Sequence, residues 1–269
     1  MKTVKESVFY FVNWFFFNFL GKRVTTNNPI HVKTKKLIKI ILGVVIFLTL
    51  PSLLFFGFVY FKYHEDLPVG IQGEQADALA YKMLESLNHE AYKNTNYLEW
   101  TFKKRHHFEW QKDKNTCVVY WKEYKVELDL NTISNSKTYV HGFRVQDDQE
   151  TELIETALNY FNNDSFWLVA PYKVFDPGTI RSLVTTKQGE EALLVTYTSG
   201  GSTPGDSYLW QLKPNGKPKG FRMWVDILPI GGLEASWSNW TTTESGAQLP
   251  TFHKMLLFGM EIDNIIGRN

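Results

Sequence analysis

The pattern of apolar and polar positions divides the chain into two unlike parts. Residues 40–61 form a run of 22 residues without a charged side chain. As a helix this run measures about 33 Å, enough to cross a hydrocarbon core of about 30 Å. Further along, apolar and polar residues alternate, which is typical of strands with one buried face. The sequence therefore predicts a transmembrane helix at 40–61, a linker at 62–73 and a β-rich domain at 74–269.

The flanks of the apolar run predict its orientation. It begins 39 residues into the chain and is longer than the core of a signal peptide, which favours an uncleaved anchor. Four lysines crowd the N-terminal side at 33–39, whereas Lys62 is the only basic residue among the twenty that follow residue 61. The positive-inside rule then predicts that residues 1–39 are cytoplasmic and that the domain lies across the membrane.

A shorter aromatic-rich stretch at residues 8–20 precedes the anchor. Its 13 residues are too few to span comfortably, and Lys5 and Lys22 flank it. Aromatic side chains favour the headgroup zone, so we predict a helix lying in the membrane interface. Two alternatives are a helix that docks on a partner within the membrane and a re-entrant segment.

Periodicity within the domain predicts a mixed but mainly β fold. Apolar residues recur at three- and four-residue spacing in 74–91 and 148–161, as in amphipathic helices. Asn215-Gly216 is a strong hairpin signal. The fold class is mainly β (α+β): a strongly curved antiparallel sheet or unclosed half-barrel of nine or ten strands, with helices on the concave face. The predicted strands are 97–102, 107–111, 116–121, 124–130, 180–186, 192–198, 207–212, 221–228 and 252–262.

Charge and cysteine content narrow the function classes. The net charge of +1 hides an asymmetry, because residues 1–61 hold eight basic side chains against one acidic, and the remainder holds 21 against 27. A basic N-terminal part joined to an acidic remainder indicates that the two parts lie in different surroundings. The basic tract is interrupted by apolar runs, so nucleic acid is not an expected partner. The single cysteine, Cys117, excludes an intramolecular disulfide and a CxxC motif.

The residues that often carry chemistry form no recognisable constellation. His106 and His107 are adjacent, so on a strand they point to opposite faces and cannot share a metal. Residues 200–206 are rich in glycine but lack the lysine of a phosphate-binding loop. Asp164-Ser165 is interpreted as a turn or helix cap, since no partner histidine is identifiable. We therefore expect no catalytic site, no metal and no cofactor.

One run of the domain resembles a known family. Residues 163–179 read Asn-Asp-Ser-Phe-Trp-Leu-Val-Ala-Pro-Tyr-Lys-Val-Phe-Asp-Pro-Gly-Thr after the predicted helix 148–161. With the strand order, this run resembles uncharacterised bacterial proteins related to the periplasmic lipoprotein carriers (the LolA/LolB-like fold), over about residues 75–262. The resemblance implies an unclosed barrel that holds acyl chains beneath a helical lid, on the periplasmic side of the inner membrane. Unlike the soluble carriers, this domain is tethered, which suits holding or presenting a ligand.

Two functions follow as hypotheses. The first is a membrane-anchored extracytoplasmic module that binds an apolar ligand, lipid, acyl chain or lipoprotein, in a half-barrel cavity lined by aromatic and aliphatic side chains. The alternative is a non-enzymatic structural or accessory subunit of a cell-envelope complex, with a packed domain, no ligand, and membrane-protein partners bound through residues 8–61. The predicted lining residues are Trp100, Phe102, Phe108, Trp110, Tyr120, Val126, Leu128, Trp167, Trp210 and Trp224.

Overall fold

The computed structural model describes residues 29–146, 148–199 and 203–269, with side chains from residue 34 onward. The predicted interfacial helix at 8–20 lies outside these residues. The chain falls into two units, Met1–Phe58 and Val59–Asn269. Helix α1 runs from Pro29 to Tyr63, and its stretch Thr34–Tyr63 has a mean hydropathy of 2.5 in its most apolar window, with none of that window buried. The helix is therefore long and apolar enough to cross a membrane.

The second unit is built on one antiparallel sheet of fourteen strands. The sheet runs β6-β5-β4-β3-β2-β1-β14-β13-β11-β10-β9-β8-β7, with β12 also paired to β13, and the two ends do not meet. The strands are β1 Tyr97–Phe102, β2 His106–Gln111, β3 Thr116–Trp121, β4 Tyr124–Asp129, β5 Lys137–Val140, β6 Phe143–Val145, β7 Thr179–Thr185, β8 Glu191–Tyr197, β9 Ser207–Leu212, β10 Pro218–Trp224, β11 Leu233–Ser236, β12 Ser238–Thr242, β13 Gln248–Met255 and β14 Phe258–Arg268.

Three further helices accompany the sheet: α2 Glu74–Ser86, α3 His89–Asn94 and α4 Asp148–Val169. The single helix predicted at 74–91 is wrong in detail, because Asn88 adopts a left-handed conformation (φ 57°) and separates α2 from α3. Helix α4 continues eight residues beyond its predicted end at residue 161. Two short 3₁₀ turns lie at Ile133–Asn135 and Ala170–Lys173.

The predicted sheet is antiparallel and unclosed, as observed, but its strand count is too low. Four short strands, β5, β6, β11 and β12, had no prediction. The single strand predicted at 252–262 is wrong: the chain turns at Leu256-Leu257 and forms the hairpin of β13 and β14, with Met255 opposite Phe258. The structure therefore gains a long hairpin next to β1.

The main hydrophobic core lies on one face of the sheet. Leu98, Trp100 and Phe102 alternate along β1 and are buried on this side, which we call the inner face. Helices α2 and α4 add side chains to the same core, so they pack on the inner face; these are Ala76, Ala80, Met83, Leu84, Leu153, Ala157, Phe161 and Leu168. Burial of this apolar stripe stabilises both helices against the sheet.

The segment that follows α1 docks on the β10–β11 connection. The backbone N–H of Glu65 donates to the Gly231 carbonyl at 2.9 Å, and the Trp224 indole donates to the Glu65 carbonyl at 2.8 Å. The Glu65 carboxylate pairs with Arg222 at 2.7 Å. The predicted linker 62–73 is thus fixed at Glu65, and again at Ile71, which forms a β-bridge with Leu183.

Gly231→Ala is expected to release Glu65 from this dock. A Cβ at residue 231 would meet Trp224 Cδ1 at 2.5 Å and the Glu65 carbonyl oxygen at 2.8 Å. Loss of two hydrogen bonds of about 1 kcal/mol each should raise cleavage after Glu65 by a glutamate-specific protease by roughly tenfold or more. The control is Lys187→Gln. The wild-type Lys187 amine is exposed and lies 3.8 Å from the Glu65 carboxylate, so its loss should leave cleavage unchanged. Unchanged cleavage in Gly231→Ala would contradict a tight dock.

Candidate functional site

The structure brings eight of the ten predicted lining residues together on the inner face. Six are buried in the main core cluster, namely Trp100, Phe102, Phe108, Val126, Leu128 and Trp210, and two are half-buried against it, Trp110 and Trp167. The remaining two lie on the outer face. Tyr120 alternates with buried Val119 and Trp121 and contacts the His107 ring, and Trp224 packs with Val184 and Leu209. Tyr120 and Trp224 therefore do not share a lining with the other eight.

A cleft of about 300 Å³ opens where α4 meets the turn between β1 and β2. We call it the inner cleft. Its floor is Phe102, which is 4% exposed and belongs to the core. Its walls are polar or aromatic: Lys103, Arg105, His106, Asn159, Tyr160, Asn163 and Asp164. A cationic rim thus surrounds an apolar floor.

A histidine–aspartate pair forms one wall of the inner cleft. His106 Nδ1 donates to Asp164 Oδ2 at 2.7 Å, and the Asn163 side-chain amide donates to the other carboxylate oxygen at 2.8 Å. Asp164 is buried, whereas the His106 side chain is 19% exposed. The His106 ring stacks on Tyr160 with centroids 3.9 Å apart. The carboxylate and the tyrosine together fix the tautomer and plane of the imidazole, leaving Nε2 available to a ligand.

The sequence prediction missed this pair. Asp164 lies on α4 and His106 on β2, 58 residues apart, so no local spacing signals their contact. The interpretation of Asp164 as a turn or helix cap is therefore corrected. The prediction that His106 and His107 point to opposite faces of the strand is confirmed. The His107 Nε2 atom lies 3.7 Å from the Glu99 carboxylate and 3.8 Å from the Glu109 carboxylate. Among the described residues, no group of three or more histidine, cysteine, aspartate and glutamate side chains is placed to hold a metal ion.

The turn between β1 and β2 supplies the positive charge. Lys103, Lys104 and Arg105 are exposed. Lys104 pairs with Glu261 of β14 at 3.1 Å, whereas Lys103 and Arg105 form no ion pair with any described residue. A second cleft of about 230 Å³ lies on the other side of this turn, against Phe252, Gly259 and Glu261. We call it the outer cleft, because Phe252 and Glu261 alternate with the buried side chains of β13 and β14.

The run at 163–179 that carries the family resemblance supports the inner face at several points. The Trp167 ring packs beside the Trp237 and His253 rings, with ring centroids 6.5 and 5.2 Å away. The Tyr172 hydroxyl lies 2.8 Å from the Leu87 carbonyl and accepts the Gln248 N–H at 3.0 Å. The run thus joins the end of α4 to α2 and to β13, in addition to placing Asp164 beside His106.

Lys112, which follows β2 at the end away from the inner cleft, is a partly buried cation. The Lys112 amine donates to the Tyr92 carbonyl at 2.5 Å and sits 3.8 Å from the centre of the Tyr92 ring. Burial, with a smaller contribution from Lys173, lowers the pKa of Lys112 to about 8. No cleft of the two described above includes this lysine.

Comparison with known proteins adds no assignment. No protein-family model matches the chain, and a search of curated proteins returns no match.

Proposed function

We propose that this chain is a membrane-anchored module that binds an anionic amphiphile, an acyl lipid or a fatty acid, at the inner cleft. In this proposal α1 is the single anchor in the inner membrane, with the domain on the periplasmic side. The sheet acts as a half-barrel with α4 on its concave face, as in the lipoprotein carriers that the chain resembles. Helix α4 then serves as the lid of the binding site.

The chemistry of the inner cleft supports the proposal. An anionic amphiphile needs a cationic contact for its headgroup and an apolar surface for its chain. Lys103 and Arg105 provide charge without an ion pair among the described residues, and His106 adds a donor when protonated. Phe102 provides the apolar floor. This juxtaposition is the observation on which the proposal rests.

The path for an acyl chain would follow the seam between α4 and the sheet. Behind Phe102 on the inner face, Trp100 stacks on Phe108 with ring centres 4.6 Å apart. Phe161 of α4 lies 6.5 Å from the Trp100 ring and 5.2 Å from the Trp110 ring. The observed cleft suits a headgroup, and a chain would enter by parting Phe161 from these rings.

One observation favours the alternative function, a structural or accessory subunit with no ligand. Trp100, Phe108, Val126 and Trp210 are each 0% exposed, so the interior beneath α4 is packed. A packed interior needs no ligand to fill it. Under this alternative the basic turn and the anchor would contact other membrane proteins, and no acyl chain would enter the seam.

Photocrosslinking separates the two functions. The full chain in nanodiscs is exposed to a palmitate analogue that carries a diazirine, and adducts are mapped by peptide mass spectrometry. We expect adducts on Phe102 or on α4 near Tyr160, competed by unmodified palmitate. Reversing the rim charge in Arg105→Glu should reduce them about tenfold, because an attractive contact to the carboxylate becomes a repulsive one.

Lys122→Glu provides the matched control for this experiment. Lys122 is an exposed lysine in the neighbouring β3–β4 turn, and it lines neither cleft. Its reversal should leave the adducts on α4 unchanged. Adducts confined to α1, or adducts equally reduced by both reversals, would refute binding at the inner cleft and favour the accessory role.

A further inference from the structure

A hairpin tip at one end of the sheet exposes a group of apolar side chains. Leu257 is 93% exposed, Phe258 is 68% exposed and Leu256 is 39% exposed. We call these three residues the apolar tip: Leu256 and Leu257 form the turn between β13 and β14, and Phe258 is the first residue of β14. Isolated exposed apolar residues are ordinary, but three adjacent ones at a projecting turn indicate a contact surface.

The backbone of the apolar tip is also unfavourable for its residue types. Leu256 has a φ of 53°, in the left-handed region where a hairpin turn normally uses glycine or asparagine. Leucine at such a position costs about 1 kcal/mol or more relative to glycine. Folding stability therefore does not explain the choice of Leu-Leu at this turn.

Cations lie beside the apolar tip. The β1–β2 turn is adjacent because β14 pairs with β1, with Phe102 opposite Ile262. Phe258 precedes Ile262 by four residues on β14, on the side where β1 has already ended. The tip therefore projects about 13 Å past Phe102 along the strand direction. Lys103, Lys104 and Arg105 stand at the base of this projection, and the outer cleft between turn and hairpin has a volume of about 230 Å³. Lys103 and Lys104, like Leu256, adopt positive φ values of 51° and 55°.

The apolar tip shares its end of the sheet with the segment that leaves α1. Met255 is opposite Ala235, so the Leu256-Leu257 turn lies on the same side as Gly231, which precedes Ala235 in the β10–β11 connection. Gly231 accepts the hydrogen bond from Glu65, two residues after α1 ends at Tyr63. Only β11 and β13 separate this dock from the tip, about 10 Å across the sheet.

From this arrangement we infer that the apolar tip is a second membrane-contact site, which inserts into the interface of the same bilayer that α1 crosses. Leu257 and Phe258 enter the boundary between headgroups and acyl chains, whose depth of about 5–10 Å suits the projection. Lys103 and Arg105 then lie at the level of lipid phosphates, and the partner is an anionic phospholipid surface. The inference concerns the hairpin tip and holds whether or not the inner cleft binds a ligand.

Site-directed fluorescence in the full chain tests the inference. The environment-sensitive fluorophore bimane is attached at Leu257→Cys, and the chain is reconstituted in nanodiscs of phosphatidylcholine with and without phosphatidylglycerol. Cys117 is 1% exposed and stays unlabelled. The matched control carries bimane at Asp113→Cys, an exposed turn residue at the opposite end of β2. We expect bimane at 257 to be quenched by nitroxide-bearing lipids and shielded from aqueous iodide, and bimane at 113 to show the reverse.

Charge variants complete the test. With phosphatidylglycerol present, Lys103→Gln and Arg105→Gln should each lower the ratio of lipid-contacting to free tip about fivefold, since one cation near an anionic surface contributes about that factor. Lys114→Gln, at the opposite end of the sheet, should not change it. Iodide access at 257 equal to that at 113 would overturn the inference. So would shielding at 257 without lipid quenching, which would show that a second copy or another protein covers the tip.

Discussion

Replacement of Trp210 by alanine is expected to lower the free energy of unfolding of the domain by about 3–5 kcal/mol. Trp210 is 0% exposed at the centre of the inner face. Its ring packs edge-on against Phe221 and Trp237, with centroids 5.1 and 5.0 Å away. Its indole N–H has no hydrogen-bond partner among the described residues, so the loss is one of packing alone. Urea unfolding of the full chain in mild detergent, followed by far-UV circular dichroism, measures it.

Phe143→Ala is the control for this substitution. Phe143 is 78% exposed on the edge strand β6, so the same aromatic-to-alanine change should cost no more than about 0.5 kcal/mol. A loss below about 1 kcal/mol for Trp210→Ala would contradict a packed interior. The inner face would then hold space for a ligand without movement of α4, which strengthens the binding function over the accessory one.

Acidification from pH 6.5 to pH 4 is expected to remove about 3 kcal/mol of stability through His253 alone. His253 is 0% exposed, its Nδ1 donates to the Ser236 carbonyl at 3.0 Å, and its ring lies 4.5 Å from that of Trp237. Burial lowers the pKa of His253 to about 4, against backbone hydrogen bonds that raise it. Between these pH values the unfolded chain binds a proton that the folded chain does not, so stability falls as the pH falls.

The pH effect is isolated by comparison with His253→Phe. Other groups titrate in the same range, so the measured quantity is the difference between the two unfolding free energies at each pH. The variant should be less stable than the wild type at pH 7, because the Ser236 carbonyl loses its donor, and the difference should shrink towards pH 4. Parallel curves for the two proteins would show that His253 is not held neutral by the fold.

The sequence predicts strands well where alternation is regular and turns are polar. Tyr124, Val126 and Leu128 alternate with charged residues, and β4 forms at 124–129 as expected. The β13–β14 hairpin was read as one strand because its turn is Leu256-Leu257, which carries none of the glycine, asparagine or aspartate that mark turns. The same residues that conceal the turn make the tip apolar, so the error falls on the surface that we propose to contact the membrane.

The candidate site was harder to predict than the fold. Aromatic residues on the inner face follow from alternation, and eight of the ten predicted lining residues lie in or against the main core cluster. Whether they line a ligand cavity stays a prediction. Tyr120 and Trp224 lie on the outer face, because each alternates with buried inner-face residues along its strand, β3 or β10. The contact of His106 with Asp164 depends on where α4 crosses β2, which is a tertiary distance and has no signature in local spacing.

The open sheet ends at the border strands β6 and β7, and such borders are templates for addition of a strand from another chain. At one border β6 has only three residues, Phe143–Val145, too few for an extended ladder. At the other, Ile71 exchanges two backbone hydrogen bonds with Leu183 in the middle of β7. A strand that adds to β7 must first displace the segment that follows α1. Edge-to-edge polymerisation is thus opposed by the chain's own segment at Ile71, a protection that a fragment starting after residue 71 would lack.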